Sequence, residues 1–318
     1  MNGFFTKYFA KFFIQQWIIG VAEASMEVII RTKKFDTGFH WIPVPMKGQL
    51  EADPFLLDTG NGCFDILYED YSLSDACGKI WVMSLDNQFR VTGKKLLLDT
   101  GSHLSYPLIY REQGKIYVFP ESGTAGNLCC YQYNPVSKEL VFVKELLKEP
   151  LLDSTILFYN NKYWLFATRK GPFADQQLHL YYADSLLGAY KAHPANPLVD
   201  DIGGARPAGH IIQVDGELYR PAQNSRYTYG GSITLHKITR LDEQQYEETF
   251  YMNLTPDSSR KENAGVHGFH TINCDGKWLV ADGTVWRFSL FLKFRQWALK
   301  FGGAGKKGTI NQKEDLTG

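Results

Sequence analysis

The apolar and polar positions of this chain follow one layout five times. A polar residue opens a short apolar run, a turn follows, and a second apolar run ends in another polar residue. Residues 52–57 lead through 58–62 into 64–69, and 105–110 lead through Gln113-Gly114 into 116–121. Residues 152–158 lead through Asn160-Asn161 into 163–168, and 205–210 through Asp215-Gly216 into 218–223. The fifth copy runs from 268–272 through Asp275-Gly276 into 277–282. The openings at 53, 106, 153, 206 and 270 recur about every 50 residues, the spacing of propeller and solenoid repeats. Asn-Asn and Asp-Gly between β-rich runs are the chemistry of tight hairpins.

Each repeat holds β-rich sequence for about four strands, the content of one propeller blade. The pattern therefore predicts an all-β chain, a five-bladed β-propeller over 51–288, with a lead-in at 1–50 that packs on the propeller or closes it. Third strands are expected at 78–84, 128–133, 178–183 and 232–238; the stretch Leu178-His-Leu-Tyr-Tyr-Ala183 alternates with period two. Blade five, about 265–288, is short of strands, and part of 24–45 is expected to complete it. Beyond Phe288 the period changes. Leu290, Phe291, Phe294, Trp297, Ala298 and Phe301 share one face of a predicted helix, with Lys293, Arg295 and Lys300 elsewhere around it. Gly302 and Gly303 end it, and a polar tail completes the 289–318 segment. This basic amphipathic helix either packs on the propeller or lies on an anionic membrane surface.

Composition narrows the class. The 34 basic and 34 acidic residues cancel, so no overall field selects nucleic acid as a partner. Five cysteines (Cys63, Cys77, Cys129, Cys130, Cys274) lack metal-site spacing and read as free thiols of a reducing compartment. Residues 12–20 are broken by two glutamines and too short to span a bilayer, so the expectation is a cytoplasmic protein, with the helix offering attachment to the inner membrane face.

The strand openings and ends carry the candidate chemistry. Five blades around an axis bring Asp53 and Asp153 to one funnel mouth, with Glu69 and Glu121 beside them. Paired carboxylates in a cleft suit glycosidic-bond chemistry, one as acid and one as base or nucleophile, although Asp at a strand start also caps turns. Arg206 and Arg220 present guanidinium forks suited to an anionic sugar or a sugar phosphate, or to an ion pair with Asp53 or Asp153. His103 and His270 stand near strand starts, and Tyr106, Gln223, Asn224, Tyr227 and Trp286 offer stacking and hydrogen bonds to a sugar. There is no Gly-rich phosphate loop, no Cys/His metal cluster and no Gly-x-Ser-x-Gly elbow.

Asp53-Pro54 and Asp153, each opening a blade, resemble the five-bladed propellers of glycoside hydrolase family 43 and its arabinanase, levansucrase and invertase relatives. More closely, Ala52-Asp-Pro-Phe55, His103-Leu-Ser-Tyr-Pro107, Pro120-Glu-Ser122, Trp164-Leu-Phe-Ala167, Arg206-Pro-Ala-Gly209, Tyr219-Arg-Pro-Ala-Gln223 and His270-Thr-Ile-Asn273 resemble the propeller region of glucosamine inositolphosphorylceramide transferases and their bacterial stand-alone relatives. Gln16-Trp-Ile-Ile-Gly-Val21 resembles the lead-in of that group.

The resemblance implies a role in glycan or glycolipid assembly or processing, with a sugar, sugar nucleotide or glycolipid as substrate. It assigns Asp53 as general base and Asp153 as the residue that orients and tunes the acid. The family 43 acid is a Glu from blade four, where this chain has Arg206-Pro-Ala-Gly; Glu121 is the substitute within reach. His270 resembles a fifth-blade His that helps to hold calcium in some arabinanases. Because the plant proteins carry a separate glycosyltransferase domain, the resemblance leaves two expectations: an enzyme using Asp53, Glu121 and Asp153, or a silent glycan-binding propeller serving a partner glycosyltransferase.

Overall fold

The computed structural model describes residues 13–44, 48–60, 62–257 and 259–288. Five antiparallel sheets are arranged as the blades of a β-propeller. Blade one pairs Gln49–Gly60, Cys63–Ser72, Cys77–Leu85 and Val91–Leu98 in sequence order, and blade two pairs Ser105–Glu112, Lys115–Glu121, Leu128–Asn134 and Glu139–Leu147. Blade three is built from Leu151–Tyr159, Lys162–Arg169 and Gln177–Ala183, edged by Lys191–Ala192 and Val199–Asp200. Blade four pairs Ile212–Val214, Glu217–Asn224, Ser232–Leu241 and Tyr246–Leu254. The four predicted third strands all lie within the observed third strands.

Blade five differs from the expectation. Ile272–Asp275 and Trp278–Phe288 are its inner strands, and the third is Phe13–Glu23, paired from Phe13 opposite Phe288 to Glu23 opposite Trp278. Among the described residues of the stretch 24–45, only His40–Trp41 joins the sheet as a strand, opposite Val21 and Gly20. The strand expected in 24–45 is thus supplied mainly by residues upstream of it. Between them lies the helix Met26–Thr32, capped by Ser25 and ended by Lys33 in the left-handed conformation. Met26, Ile29 and Ile30 bury its inner face against blades four and five. The predicted C-terminal helix falls outside the described residues.

The core lies between neighbouring blades. Phe55, Leu67, Tyr106, Leu108, Phe119, Leu151 and Leu165 join blades one to three, while Ile19, Val21, Leu56, Ile66 and Val280 join blade five to blade one. Inner strands are covered on both faces and read as continuous apolar runs; the fourth strand of blade one is exposed over most of its length.

Candidate functional site

The repeat places one distinctive residue at the same point of blades one, two and three. Asp53, Tyr106 and Asp153 have φ of 52°, 40° and 49°, and each sits in a β-bulge of the innermost strand. A bulge inserts an unpaired residue and re-aims its side chain. Aspartate tolerates the left-handed region better than most residues. In blades one and three the bulge turns a carboxylate toward the propeller axis. The freed backbone N–H groups are used as well. Asp53 N–H donates to Asp282 Oδ2 at 3.0 Å, and Asp153 N–H donates to Glu121 Oε2 at 3.2 Å. In blades one and three, an acidic residue of the preceding blade's second strand thus receives the bulge.

Around this end of the axis is a cleft of about 240 Å³ lined by Trp17, Asp53, Glu69, Tyr71, His103, Ser105, Glu121, Arg206, Tyr229 and His270 among others. It is neither the largest nor the most apolar cavity of the propeller, but it is where the titratable groups converge. Asp53 is buried, accepting from Thr271 Oγ1 at 2.7 Å and from Tyr106 N–H at 3.3 Å. Burial pushes its carboxyl up to about 6; His270 opposes this, and Asp153 and Asp282 reinforce it. Glu69 and Glu121 are held well above the usual carboxylate range. Burial is the main cause for both, joined by Asp53 and Glu121 at Glu69 and by Asp153 at Glu121.

Asp153 is engaged differently. Arg206 Nε donates to its Oδ2 at 2.5 Å and Gln223 Nε2 to the same oxygen at 2.7 Å. Arg206 extends to Asp175 at 2.7 Å, lies 3.8 Å from Glu121, and has its guanidinium 5.8 Å from the centre of the Tyr229 ring. The ion-pair alternative for Arg206 is the one realised. His103 accepts from Gly78 N–H through Nδ1 at 2.9 Å, with Nε2 3.7 Å from Glu69. Gly78 permits this approach, because a Cβ there would stand 2.2 Å from Glu69 Oε1.

His270 is sandwiched between carboxylates. Its Nδ1 is 2.6 Å from Asp282 Oδ2, an ion-pair contact off the line of an aligned hydrogen bond, and its Nε2 is 3.4 Å from Asp53 Oδ1. The ring stacks on Trp17 at 4.0 Å. Burial opposes its charge, but Asp282 and Asp53 outweigh that and raise its pKa to about 9. Asp53, His270 and Asp282 each bring one ligand atom within 4.8 Å of the others, the geometry of a metal trio. The donor chemistry does not fit calcium, which takes 6–8 oxygen ligands. Both ring nitrogens already face carboxylates, which raise the pKa of His270 and favour its charged form, in which neither nitrogen has a lone pair to give. Asp282 is also occupied by the N–H groups of Asp53, His270 and Thr271.

Of the sequence candidates, Asp53, Glu69, His103, Glu121, Arg206 and His270 line the cleft, with Asp153 and Gln223 directly beneath Arg206. Tyr106 contributes only its backbone N–H; its hydroxyl bonds Thr155 at 2.8 Å inside the core. Arg220 is elsewhere, 1% exposed, locked to Glu248 at 2.6 and 2.8 Å and to the carbonyls of Gly204 and Ala205. Tyr227 is almost fully exposed and Trp286 about half exposed, neither lining the cleft. The reading missed Trp17, Tyr229, Asp175 and Asp282. Asp282 carried a signal, since it ends its run as Glu69 and Glu121 end theirs. Trp17 enters only because its strand closes the ring.

Fold and site define a class, the five-bladed propellers with carboxylates gathered at one mouth of the axis. Zg3597, a family 117 glycoside hydrolase of Zobellia galactanivorans, shares the fold with a TM-score of 0.53 at 13% identity, over 88% of this chain and 92% of that one. The xylan β-1,4-xylosidase of Bacillus halodurans gives 0.50 at 14% identity, over 66% and 48%. The chain belongs to the family described as glucosamine inositolphosphorylceramide transferase 1, N-terminal, which it matches over residues 43–286. It is 33% identical over 240 residues to glucosamine inositolphosphorylceramide transferase 1 of Oryza sativa subsp. japonica, covering 74% of this chain and 32% of the relative. The Arabidopsis thaliana protein of the same name is 32% identical over 234 residues, with coverage of 72% and 30%. This chain thus spans about a third of the length of those relatives.

Proposed function

We propose that the cleft binds a single sugar ring and acts on its glycosidic or activated bond during glycan or glycolipid assembly. The observation that carries this is the gathering of three buried carboxyls in one small space, where burial pushes Asp53 up to about 6 and holds Glu69 and Glu121 well above the usual carboxylate range. Environment-separated carboxylates are how one site holds both a base and an acid. Asp53 would accept the proton of the attacking water or sugar hydroxyl. Glu121 would give its proton to the leaving oxygen, so that one proton enters and one leaves the pair. Asp153 is a positioning residue: its backbone N–H holds Glu121, and its carboxylate anchors Arg206. The cleft volume of about 240 Å³ is below the roughly 300–1,000 Å³ of drug-sized sites, consistent with one ring. The relatives' shared name, which joins glucosamine and inositolphosphorylceramide to transferase, favours a lipid-linked substrate.

The second reading is a glycan-holding propeller that serves a partner glycosyltransferase. Its support is Arg206, which stands where the resemblance to family 43 calls for a Glu and is tied to Asp153 and Asp175. One set of measurements separates the two. Wild type and Asp53→Asn are assayed against sugar nucleotides, oligosaccharides and glycolipids, with binding followed by calorimetry. Turnover by wild type that falls at least about 100-fold in the variant supports the acid–base reading. Sugar binding without turnover in either protein supports the second. Equal turnover by both removes Asp53 from the chemistry.

A further inference from the structure

The outermost strand of each blade is a sheet edge, with a row of backbone N–H and C=O groups that no neighbouring strand takes up. Four of the five edges are blunted. Blade one ends in Val91–Leu98, where Gly93, Lys94 and Lys95 interrupt the apolar positions, and blade four in Tyr246–Leu254, which carries Glu247 and Glu248. The edges of blades three and five are two-residue pieces, Lys191–Ala192 with Val199–Asp200 and His40–Trp41. Short strands and charges set among the apolar positions are how native sheets avoid edge-to-edge pairing.

Blade two is different: charges flank its apolar run without interrupting it. Its edge, Glu139–Leu147, is nine residues long, and among the described residues it pairs only with Leu128–Asn134. Val141, Phe142 and Val143 are 62%, 57% and 37% exposed, a run that no other outermost strand among the described residues shows. Glu139 and Lys144, on either side of the run, are both exposed. Among the described residues neither is in an ion pair, and Lys144 Nζ donates only to the Leu187 carbonyl, at 2.7 Å.

We propose that a second copy of this chain pairs with Glu139–Leu147, antiparallel and about a two-fold axis at Val141, joining two four-stranded blades into one sheet. Charge complementarity selects this occupant and this register. Across a two-fold axis Val141 faces its own copy, and residues equally far from it on opposite sides face each other. Along the ladder to Leu128–Asn134, Val143 is bulged out and has no partner, so Glu139 and Lys144 each stand two places from Val141, opposite Asn134 and Cys130. Glu139 therefore meets Lys144 of the second copy, twice per dimer, and Leu140 meets Phe142. Without the bulge Val143 would take the place of Lys144, and the charges would miss each other. Opposite charges and apolar side chains directly across an antiparallel pair are both stabilising. None of the cleft-lining residues lies on this strand, so the dimer and the sugar-binding reading stand or fall separately.

The test is sedimentation of the full chain over a range of concentrations. A contact one strand wide belongs with weak, transient interfaces, so dimers are expected at about 10–100 µM chain. Glu139→Lys alone sets lysine against lysine at both ends of the run, and Lys144→Glu alone sets glutamate against glutamate. Each should weaken the dimer about tenfold, and an equimolar mixture of the two variants should restore it, because every facing pair is then opposite in charge. Both positions are exposed, so the variants keep the fold of the wild type. Val141→Cys in a Cys63→Ser background should cross-link to itself on mild oxidation, since directly opposed Cα atoms are about 5 Å apart, within reach of a disulfide. Val136→Cys, 91% exposed in the turn before the strand and far from the axis, should not. Amide exchange across residues 139–145 should slow as concentration rises. A chain that stays monomeric at about 500 µM overturns the proposal. So does a dimer indifferent to both charge variants, which places the contact elsewhere, or protection of 139–145 that is independent of concentration, which means that another segment of the same chain covers the edge.

Discussion

Arg206 Nε lies 2.5 Å from Asp153 Oδ2, joining the opening of blade four to the innermost strand of blade three. The same guanidinium reaches Asp175 and stands near Glu121, so one cation serves three carboxylates at the floor and wall of the cleft. A buried pair of this kind contributes little relative to apolar packing, but breaking it strands a charge.

Truncating that cation therefore has a large expected cost. Arg206→Ala leaves the Asp153 carboxylate, 1% exposed, with Gln223 as its remaining side-chain donor. A loss of about 3 kcal/mol in unfolding free energy is expected, within the range for one-sided removal of a buried pair. Urea denaturation measures it, and the double variant with Asp153→Asn should recover part of the loss. A cost below about 0.5 kcal/mol would mean that water replaces the guanidinium at no penalty.

The Asp53–His270–Asp282 cluster sets a pH dependence. His270 is raised from the ordinary 6.5 to about 9, so the folded state holds its proton more tightly than the unfolded chain. The stability this contributes is fully present below pH 6.5 and is lost as pH rises through 9. Asp53, raised to about 6, likewise favours the folded state when protonated, and that contribution fades between the ordinary value near 3.8 and pH 6. Stability should therefore fall from pH 6.5 to 9 by an amount on the order of 2 kcal/mol. Thermal or urea midpoints across that window check it. His270→Gln should flatten the slope, and an unchanged slope would exclude His270 as its source.

Glu69 and Glu121 should separate stability from activity. Both are buried with carboxyls held well above the usual range, which favours the neutral form that Gln resembles in shape and charge. Glu69→Gln and Glu121→Gln are expected to change unfolding free energy by less than about 1 kcal/mol. The residue that donates the proton should lose about 100- to 10,000-fold in turnover, and the assignment predicts that this is Glu121. Loss confined to Glu69→Gln would move the acid to the His103 side of the cleft.

Arg220 gives the opposite pattern. It is enclosed with Glu248 and two backbone carbonyls, away from the cleft. Arg220→Ala should cost about 3–5 kcal/mol or prevent folding, by leaving the buried Glu248 carboxylate without its guanidinium and with only Tyr246 and His236 beside it. In Arg220→Met with Glu248→Leu, both charges go and much of the stability should return. Sugar affinity of that double variant, by calorimetry, should match the wild type; a large loss would return Arg220 to the binding site.

The sequence alone determined what depends on neighbours along the chain. Turn chemistry is local. Asn160 and Asn161 adopt φ of 50° and 58°, and Asp215-Gly216 adopts 53° and 79°, so in each hairpin two adjacent residues announce the turn without reference to the rest of the fold. Because these turns recur at one spacing, the blade count and the third strands followed. The convergence of Asp53 and Asp153 followed as well, since equivalent positions of a closed ring share one level of the axis.

Tertiary structure decided what depends on residues far apart. Pairing of Phe13–Glu23 with Trp278–Phe288 closes the ring across more than 250 residues, and nothing local to either strand names its partner. That closure carries Trp17 onto His270. The destination of Arg220 was hidden for a related reason. Its strand is buried on both faces, so the alternation that tells inside from outside is absent, and two arginines of one blade could not be told apart. One meets Asp153 at the cleft and the other Glu248 between strands, because charged groups taken from water end where the packed fold leaves an opposite charge within reach.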